Sequence, residues 1–437
     1  MNVGLVTLGC SKNQVDSEML LGYFKERGFN IVSDPLEADI IVVNTCGFIK
    51  SAKEEAIATI LEMADYKEIG NCKALIVTGC LAKRYKKEIL ENMPEVDLCI
   101  GVDEYENIDN ILSEFLNQNC LNHSLKFENR IISSDFPSCY IRISDGCDNR
   151  CSYCAIPLIR GRFKSRKMED IVEEVKNLAS QGMKEFCIIS QDTSKYGIDI
   201  YGKLMLPELL RRISKIEGVK WIRILYMYLF EATDELIEEM AKNDKICKYF
   251  DIPIQHLSDN ILKQMNRYDT SEIIFDRIEK IREKVPNAIL RTTVMTGFPG
   301  ETQEDFNILK EGIKKIKFDR LGAFAFSKEE DTKAYDMKNQ VPEKIREERL
   351  KEIFDIQKDI SLKLNKNRVG NKYEVIVEGI TEDEKYFSCR SYMEAPDVDG
   401  RIYVKIDEQS SSKLTIGEFA NVQIIDYNEY DLYAKVI

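Results

Sequence analysis

Cys147, Cys151 and Cys154 crowd into the stretch YIRISDGCDNRCSYCAIP, separated by three residues and then by two. That spacing is too tight for each side chain to find its own buried site, and it suits three thiolates converging on one metal centre. Three ligands leave a fourth position open. A [4Fe-4S] cluster held this way exposes one iron, which can chelate the amino and carboxylate groups of S-adenosylmethionine (SAM). Two other arrangements fit the same spacing. Cysteines pack as small buried hydrophobes, and this chain has 13 of them. Structural zinc is the second, but it calls for a fourth ligand in a paired short spacing, and no further cysteine or histidine adjoins the loop.

The triplet of cysteine, three residues, cysteine, two residues, cysteine resembles the motif of the radical SAM superfamily. The resemblance implies that Tyr153, directly before the third cysteine, faces the adenine of SAM. A ring packed beside the loop accounts for it equally well.

At 437 residues the chain holds two or three domains, each able to build its own core. Its amino terminus, MNVGLVTLGCSKN, lacks a basic region followed by an apolar run, and no segment reaches the roughly 18 apolar residues of a membrane span. A soluble, cytosolic protein with no membrane partner is expected. Many cysteines in such a chain point to metal or redox chemistry rather than disulfides. The formal net charge of -13 and pI near 5.1 repel phosphate backbones and favour basic partners. With only His123 and His256, histidine acid–base catalysis has little to work with.

The first part alternates strand-like runs (GLVTL, DIIVV, ALIVT, DLCI) with amphipathic segments (SEMLLGYFKERG, KSAKEEAIATILEMADY, KRYKKEILENM). Alternation of this kind predicts an α/β fold with a doubly wound parallel sheet. The pattern lapses into polar sequence near residues 120–137, the expected domain boundary. Six further strand-like runs follow (CYIRIS, FCIIS, WIRILY, YFDIP, ILRTTVM, RLGAFAF) and predict a partial β/α barrel. The three-cysteine loop directly follows the first of them, at the strand end where such sheets collect ligands. After a charged helical stretch, KYEVIVEGI, YFSCRS, RIYVKI, FANVQIIDY and LYAKVI predict a small antiparallel β-barrel. The expected domains are residues 1–128, 137–366 and 367–437.

Cys10, Cys46 and Cys80 are distant in sequence, yet each closes one of the first three predicted strands: GLVTLGC, IIVVNTC and ALIVTGC. In a parallel sheet those ends lie along one edge, so topology delivers three thiols to one neighbourhood. A second cluster or simple packing at strand ends both follow. Cys72, Cys99, Cys120, Cys139, Cys187, Cys247 and Cys389 are expected to be packed.

Two three-cysteine sites in this order, TLGCSKNQVDSE around Cys10 and IRGRFKSR after Cys154, resemble the methylthiotransferase family over essentially the whole chain. The resemblance implies an amino-terminal cluster domain, a central radical SAM domain and a carboxyl-terminal TRAM barrel. It assigns Cys147, Cys151 and Cys154 to the radical SAM [4Fe-4S] cluster and Cys10, Cys46 and Cys80 to an auxiliary [4Fe-4S] cluster. GCSKNQVDSE, SQDTSKYGIDIYG, FDRLGAFAFSKEEDTKAY and RSYMEAPDVDG are similar to the branch that modifies a ribosomal protein. LYMYLFEATDEL departs from it, lacking a proline after the tyrosines. The charge reading supports that branch independently. From Arg368 to Ile437 there are 8 Lys plus Arg against 14 Asp plus Glu, a balance of -6, better matched to a basic protein than to RNA.

The resemblance implies a methylthio group added to the β-carbon of an aspartate in the twelfth protein of the small ribosomal subunit, free or within the subunit. It also implies an electron donor such as flavodoxin or ferredoxin, and a sulfur donor. An unactivated methylene offers no hydrogen that a side-chain base removes at neutral pH, so a 5′-deoxyadenosyl radical made from SAM must take it. A second SAM then supplies the methyl group to a sulfur at the auxiliary cluster. Beyond the cluster ligands no catalytic side chain is implied. Gln191, Asp192, Gln255, Arg291 and, at the loop, Tyr153 are the candidate SAM contacts; the GFPGE turn, Gly297 to Glu301, lets backbone approach a ligand. Caps, turns and buried hydrogen bonds explain the same residues. Arg160, Arg162, Lys164 and Arg166 read as a solvated basic face rather than a substrate clamp. The competing functions are a tRNA (adenosine) methylthiotransferase of the same family, with tRNA as a partner disfavoured by charge, and a metal-stabilised RNA-binding scaffold without catalysis.

Overall fold

A computed structural model describes every residue except 118, 121, 122 and 135. Three of these fall in the polar stretch 120–137, so that expected boundary lies partly outside the described residues. The chain forms two compact units, each assembled from separate segments. One comprises Met1–Ser133, Ser144–Lys164 and Ser327–Tyr335; the other comprises Ser134–Ile143, Ser165–Phe326 and Asp336–Ile437.

The first unit is built on five parallel strands, β1 (Asn2–Thr7), β2 (Asn30–Ile31), β3 (Ile40–Thr45), β4 (Ala74–Gly79) and β5 (Leu98–Gly101), in the order β2-β1-β3-β4-β5. The four strands expected from apolar runs are present; β2, at two residues, is too short to show a period. Alternate side chains of β3 point to opposite faces, as the two-residue repeat of a strand requires. Ile41 and Val43 pack with Ala56, Ile60 and Met63 of α2 (Lys50–Ala64), and with Leu81 and Ile89 of α3 (Cys80–Asn92). Ile40 and Val42 pack with Leu20, Tyr23 and Phe24 of α1 (Ser11–Glu26), and with Ile108 and Leu112 of α4 (Ile108–Phe115). Both faces are therefore covered, which makes the sheet doubly wound and explains its unbroken apolar strands; each fully buried Ile or Leu contributes about 1.5–3 kcal/mol. Pairing of Thr7 with Asn44 and of Thr45 with Gly79 sets the carboxyl ends of β1, β3 and β4 side by side.

The second unit contains all six central strands expected from the sequence: β6 (Ser138–Arg142), β7 (Glu185–Ile189), β8 (Trp221–Ile224), β9 (Tyr249–Asp251), β10 (Ile289–Thr296) and β11 (Arg320–Ala325). They form two parallel three-stranded sheets, β8-β7-β6 and β9-β10-β11. The sheets are joined where Cys247 N donates to Ile222 O at 2.9 Å and Ile222 N donates to Lys245 O at 2.7 Å. The result is one curved run of six strands in sequence order, an open β/α barrel.

The carboxyl-terminal strands β12 (Lys372–Ile380), β13 (Tyr386–Arg390), β14 (Ile402–Lys405), β15 (Phe419–Tyr427) and β16 (Leu432–Val436) close into a barrel in the order β12-β13-β14-β16-β15. The expected small antiparallel barrel is present, with one parallel pair in it, β14 and β16, Ile402 beside Leu432. Five strands cannot alternate direction all the way around a closed ring, so at least one pair must be parallel. Within this unit Glu185 of β7 is fully buried and accepts from Arg223 Nε and Ser138 Oγ, each at 2.8 Å, and from Arg390 of β13. Burial alone would push that carboxyl up, but Arg390 and Arg223 hold it down at about 2. Among the described residues no helix is long and apolar enough to cross a membrane.

Candidate metal centres

Cys46 and Cys80 directly follow β3 and β4, Cys10 follows β1 after Leu8 and Gly9, and glycines let the three turns touch. Gly9 has φ +96°, and a Cβ there would stand 2.8 Å from Cys46 Cβ and 3.2 Å from its Sγ. Gly79 has φ +99°, and a Cβ there would lie 2.4 Å from Thr45 O. Gly47 runs so close to α3 that a Cβ would meet Leu81 N at 2.8 Å. The turn after β3 is thus pressed against those after β1 and β4. Cys10, in extended conformation, caps α1, and Cys80 opens α3, so both thiols stand at helix amino termini.

Burial pushes the Cys80 thiol up to about 12; Arg160 opposes that rise, and charge on Cys10 and Cys46 adds to it. Burial likewise raises Cys46, with Cys10 again contributing. Cys80 thus senses both other thiols and Cys46 senses Cys10, and a soft cation would displace the protons that burial retains on Cys46 and Cys80. Among the described residues no three His, Cys, Asp or Glu side chains already close around a common point. What converges is the backbone that carries the thiols, and an all-sulfur donor set fits an iron–sulfur cluster rather than a hard cation.

The second set lies on the loop after β6, in the same compact unit as the first. Gly146 (φ +72°) passes so near the returning chain that a Cβ would lie 2.1 Å from Arg162 O. Cys147 N donates to Gly161 O at 3.2 Å and Cys154 N to Cys151 O at 3.0 Å, while Ala334 N donates to Ser152 O at 2.8 Å. Tyr153 sits half-buried inside this turn. The Cys154 thiol is raised strongly by burial and then by the charge of Cys151 and Cys147, so these three also share one neighbourhood.

The two sets are joined by packing. Ala155 and Ile159, beside and within α5 (Ile156–Ile159), form a buried apolar cluster with Cys80. Arg160 then overturns the expected solvated face. Its side chain is 2% exposed, and Nη2 donates to Asp16 Oδ2 at 2.6 Å and Asn13 Oδ1 at 3.0 Å and lies 3.8 Å from Cys80 Sγ. Its Nη1 reaches Asp145 Oδ2 at 3.2 Å. Arg162 and Lys164 are exposed as expected, paired with Asp148 and Glu106. Arg166 is mostly covered, donating to Glu174 and to Arg142 O. The carboxylates that draw in Arg160 come from elsewhere in the chain, so local composition could not show its burial. One signal existed: Asn13 and Asp16 are three residues apart, so they share one face of the helix that Cys10 caps.

Sequence reasoning also missed Glu329, whose carboxylate is almost fully buried and takes both Lys53 Nζ and Arg84 Nη1 at 2.9 Å. Arg84 Nη1 also donates to Gly47 O at 2.8 Å, beside Cys46. The segment Ser327–Tyr335 therefore holds one loop of each cysteine set, through Gly47 and Ser152. Of the cysteines expected to be packed, Cys72, Cys99, Cys139, Cys187, Cys247 and Cys389 are buried. Cys120 is exposed, because it lies in the polar stretch beyond α4, where its thiol donates to Asp109 and Asn110.

Of the SAM candidates, Tyr153 belongs to the first unit and the other four to the second. Gln191 and Asp192 follow β7; Asp192 is buried and accepts from Ser194 Oγ at 2.6 Å. Gln255 follows β9 with φ +67°, a conformation costly for a residue with a Cβ, and its buried Oε1 has no hydrogen-bond partner among the described residues. That orphaned oxygen fits a site awaiting a polar ligand. Arg291 in β10 is engaged with Asp251 at 2.6 Å and faces Asp399 at 3.9 Å. In the GFPGE turn, Gly297 N donates to Glu301, which is buried against Arg349.

Comparison with known proteins follows the same three parts. Residues 2–101 match the family described as uncharacterized protein family UPF0004, residues 141–311 the radical SAM superfamily, and residues 369–437 the TRAM domain. The chain is 50% identical to ribosomal protein uS12 methylthiotransferase RimO of Clostridium novyi, over 99% of this chain and 98% of that one. It is 48% identical to the RimO of Acetivibrio thermocellus, over 100% and 98%. Among solved structures, the radical SAM methyltransferase TsrM of Kitasatospora setae aligns with a TM-score of 0.54 at 13% identity, over 74% of this chain and 72% of that one. The cobalamin-dependent radical SAM enzyme OxsB aligns at 0.52 and 14%, over 82% and 56%. These two likenesses speak for the fold alone, whereas near-half identity over the full length settles membership: the chain belongs to the RimO family of radical SAM methylthiotransferases.

Proposed function

We propose that this chain adds a methylthio group to the β-carbon of an aspartate in ribosomal protein uS12. The observation that carries the reading is the packing of Ala155 and Ile159, which follow the Cys147–Cys154 loop, on Cys80 within one compact unit, which suits a reaction needing two adjacent centres. Full-length identity with RimO relatives supports the substrate.

In this reading Cys147, Cys151 and Cys154 hold one [4Fe-4S] cluster and Cys10, Cys46 and Cys80 the other. When bound, the clusters and SAM supply radical generation and sulfur delivery. The chain's own part is placement. The glycine-pinned turns fix the two thiol sets, and the Cys80, Ala155 and Ile159 cluster keeps the ground between them free of water. Gln191, Asp192, Gln255, Arg291 and Tyr153 are the proposed SAM contacts, and Gln255, with its orphaned oxygen, has the most direct support. Residues 1–128, 137–366 and 367–437 serve as cluster, radical and docking domains, and the acidic last domain receives the basic substrate protein. A cytoplasmic setting, an electron donor such as flavodoxin or ferredoxin and a sulfur donor complete the proposal.

Mass spectrometry of ribosomal proteins and tRNA from cells lacking the gene tests it. Loss of the methylthio mass from uS12 is the expected result. An unchanged uS12 beside an altered tRNA would refute it.

A further inference from the structure

Arg160 stands where neither a cluster ligand nor a substrate contact is called for. It is six residues beyond Cys154, yet its guanidinium reaches the sulfur of Cys80, which belongs to the other cysteine set. A buried arginine needs charge partners, and Asp16 and Asp145 provide them, one from the helix that Cys10 caps and one from two residues before Cys147. The planar fork lets Nη2 serve Asp16, Asn13 and Cys80 while Nη1 serves Asp145, a division no lysine can reproduce.

We propose that Arg160 is a positioning residue for the amino-terminal iron–sulfur centre, donating to the sulfur of Cys80 and holding a positive charge beside it, balanced by Asp16. Hydrogen bonds to cluster sulfurs and nearby net charge set the reduction potential of such a centre. Positive charge favours the arrival of an electron; a carboxylate opposes it. Arg160 and Asp16 therefore act on the potential with opposite signs, although both support the same packing. The inference rests on Cys10, Cys46 and Cys80 being the ligands of that centre.

The test uses the full-length protein carrying Cys147→Ala, Cys151→Ala and Cys154→Ala, reconstituted anaerobically with iron and sulfide so that the amino-terminal cluster alone is present. Its midpoint potential is read by redox titration followed by electron paramagnetic resonance. Arg160→Met should lower the equilibrium constant for reduction about tenfold, a fall of about 59 mV for a one-electron couple. Arg160→Lys should produce a smaller fall, and Asp16→Asn should shift the potential upward. Should Arg160→Met fail to retain iron, Arg160→Lys and Asp16→Asn carry the same opposition of sign. Shifts in one direction for both sites, or a bound cluster with an unmoved potential, would overturn the role of Arg160. Absence of any cluster in the background protein would overturn the ligand assignment, and the inference with it.

Discussion

Cys147, Cys151 and Cys154 lie within eight residues of one loop, whereas Cys10, Cys46 and Cys80 are carried to one sheet edge by three parallel strands spread over seventy residues. The first set depends on a single turn, closed by Gly146 against Arg162 O. The second depends on strand register, since a slip of β3 against β4 would move Cys46 away from Cys80. One is a local device and the other a product of the whole sheet, so damage to each should have a different reach.

The largest effects should come from the proposed ligands. Alanine at Cys147, Cys151 or Cys154 should abolish reductive cleavage of SAM, followed as 5′-deoxyadenosine. Alanine at Cys10, Cys46 or Cys80 should leave that cleavage in place and abolish methylthio transfer. If the second group also stops SAM cleavage, the two sets are not separable and the contrast fails.

Glu329→Gln should come next, because it leaves Arg84 and Lys53 without their shared carboxylate, at a cost of about 3 kcal/mol. Arg84 steadies Gly47 and the same segment steadies Ser152, so iron should be lost from both centres, as measured by iron content and thermal melting. Gly79→Ala and Gly146→Ala should each cost about 1–3 kcal/mol through their positive φ angles and close approaches. Resonance spectra should show the first emptying only the amino-terminal centre and the second only the loop centre.

The smallest effect is a control in the central barrel. Burial raises Glu231 to about 7, helped by the charge of Asp192 and opposed by Lys195. A carboxyl raised above its unfolded value of about 4.5 favours the protonated folded state, so stability is full below about pH 4.5 and falls as pH rises toward 7. Glu231→Gln should remove that decline, worth about 1–2 kcal/mol at pH 8 after allowance for solvent screening, without changing iron content at either centre. Urea melts across that pH range are the measurement.

Legibility followed the same division. The loop triplet is visible as a local word, and strands such as ALIVT and ILRTTVM announce themselves by composition. The strand-end cysteines become visible once the alternation implies a parallel sheet. Arg160 and Glu329 do not, because their burial depends on carboxylates and cations contributed by distant segments, and a charged residue read locally belongs in water. The parallel pair in the terminal barrel escaped for a related reason: it follows from ring closure, which no single strand records. Helix α1 begins earlier than its apolar pattern suggests because Asn13, Asp16 and Ser17 are polar yet buried. Asn13 donates to Leu8 O and Thr45 O, and Ser17 accepts from Asn44.

The discontinuity of the first compact unit also has a consequence in time. Its last segment, Ser327–Tyr335, leaves the ribosome about two hundred residues after Ser133 does. At ordinary synthesis rates that is a wait of roughly 10–40 s. Throughout that interval the nascent amino-terminal sheet exposes Arg84 and Gly47 without Glu329, and for the first part of it Cys80 has no Arg160. Iron delivered during synthesis would meet a half-built site, so maturation of this chain belongs after translation has passed residue 335.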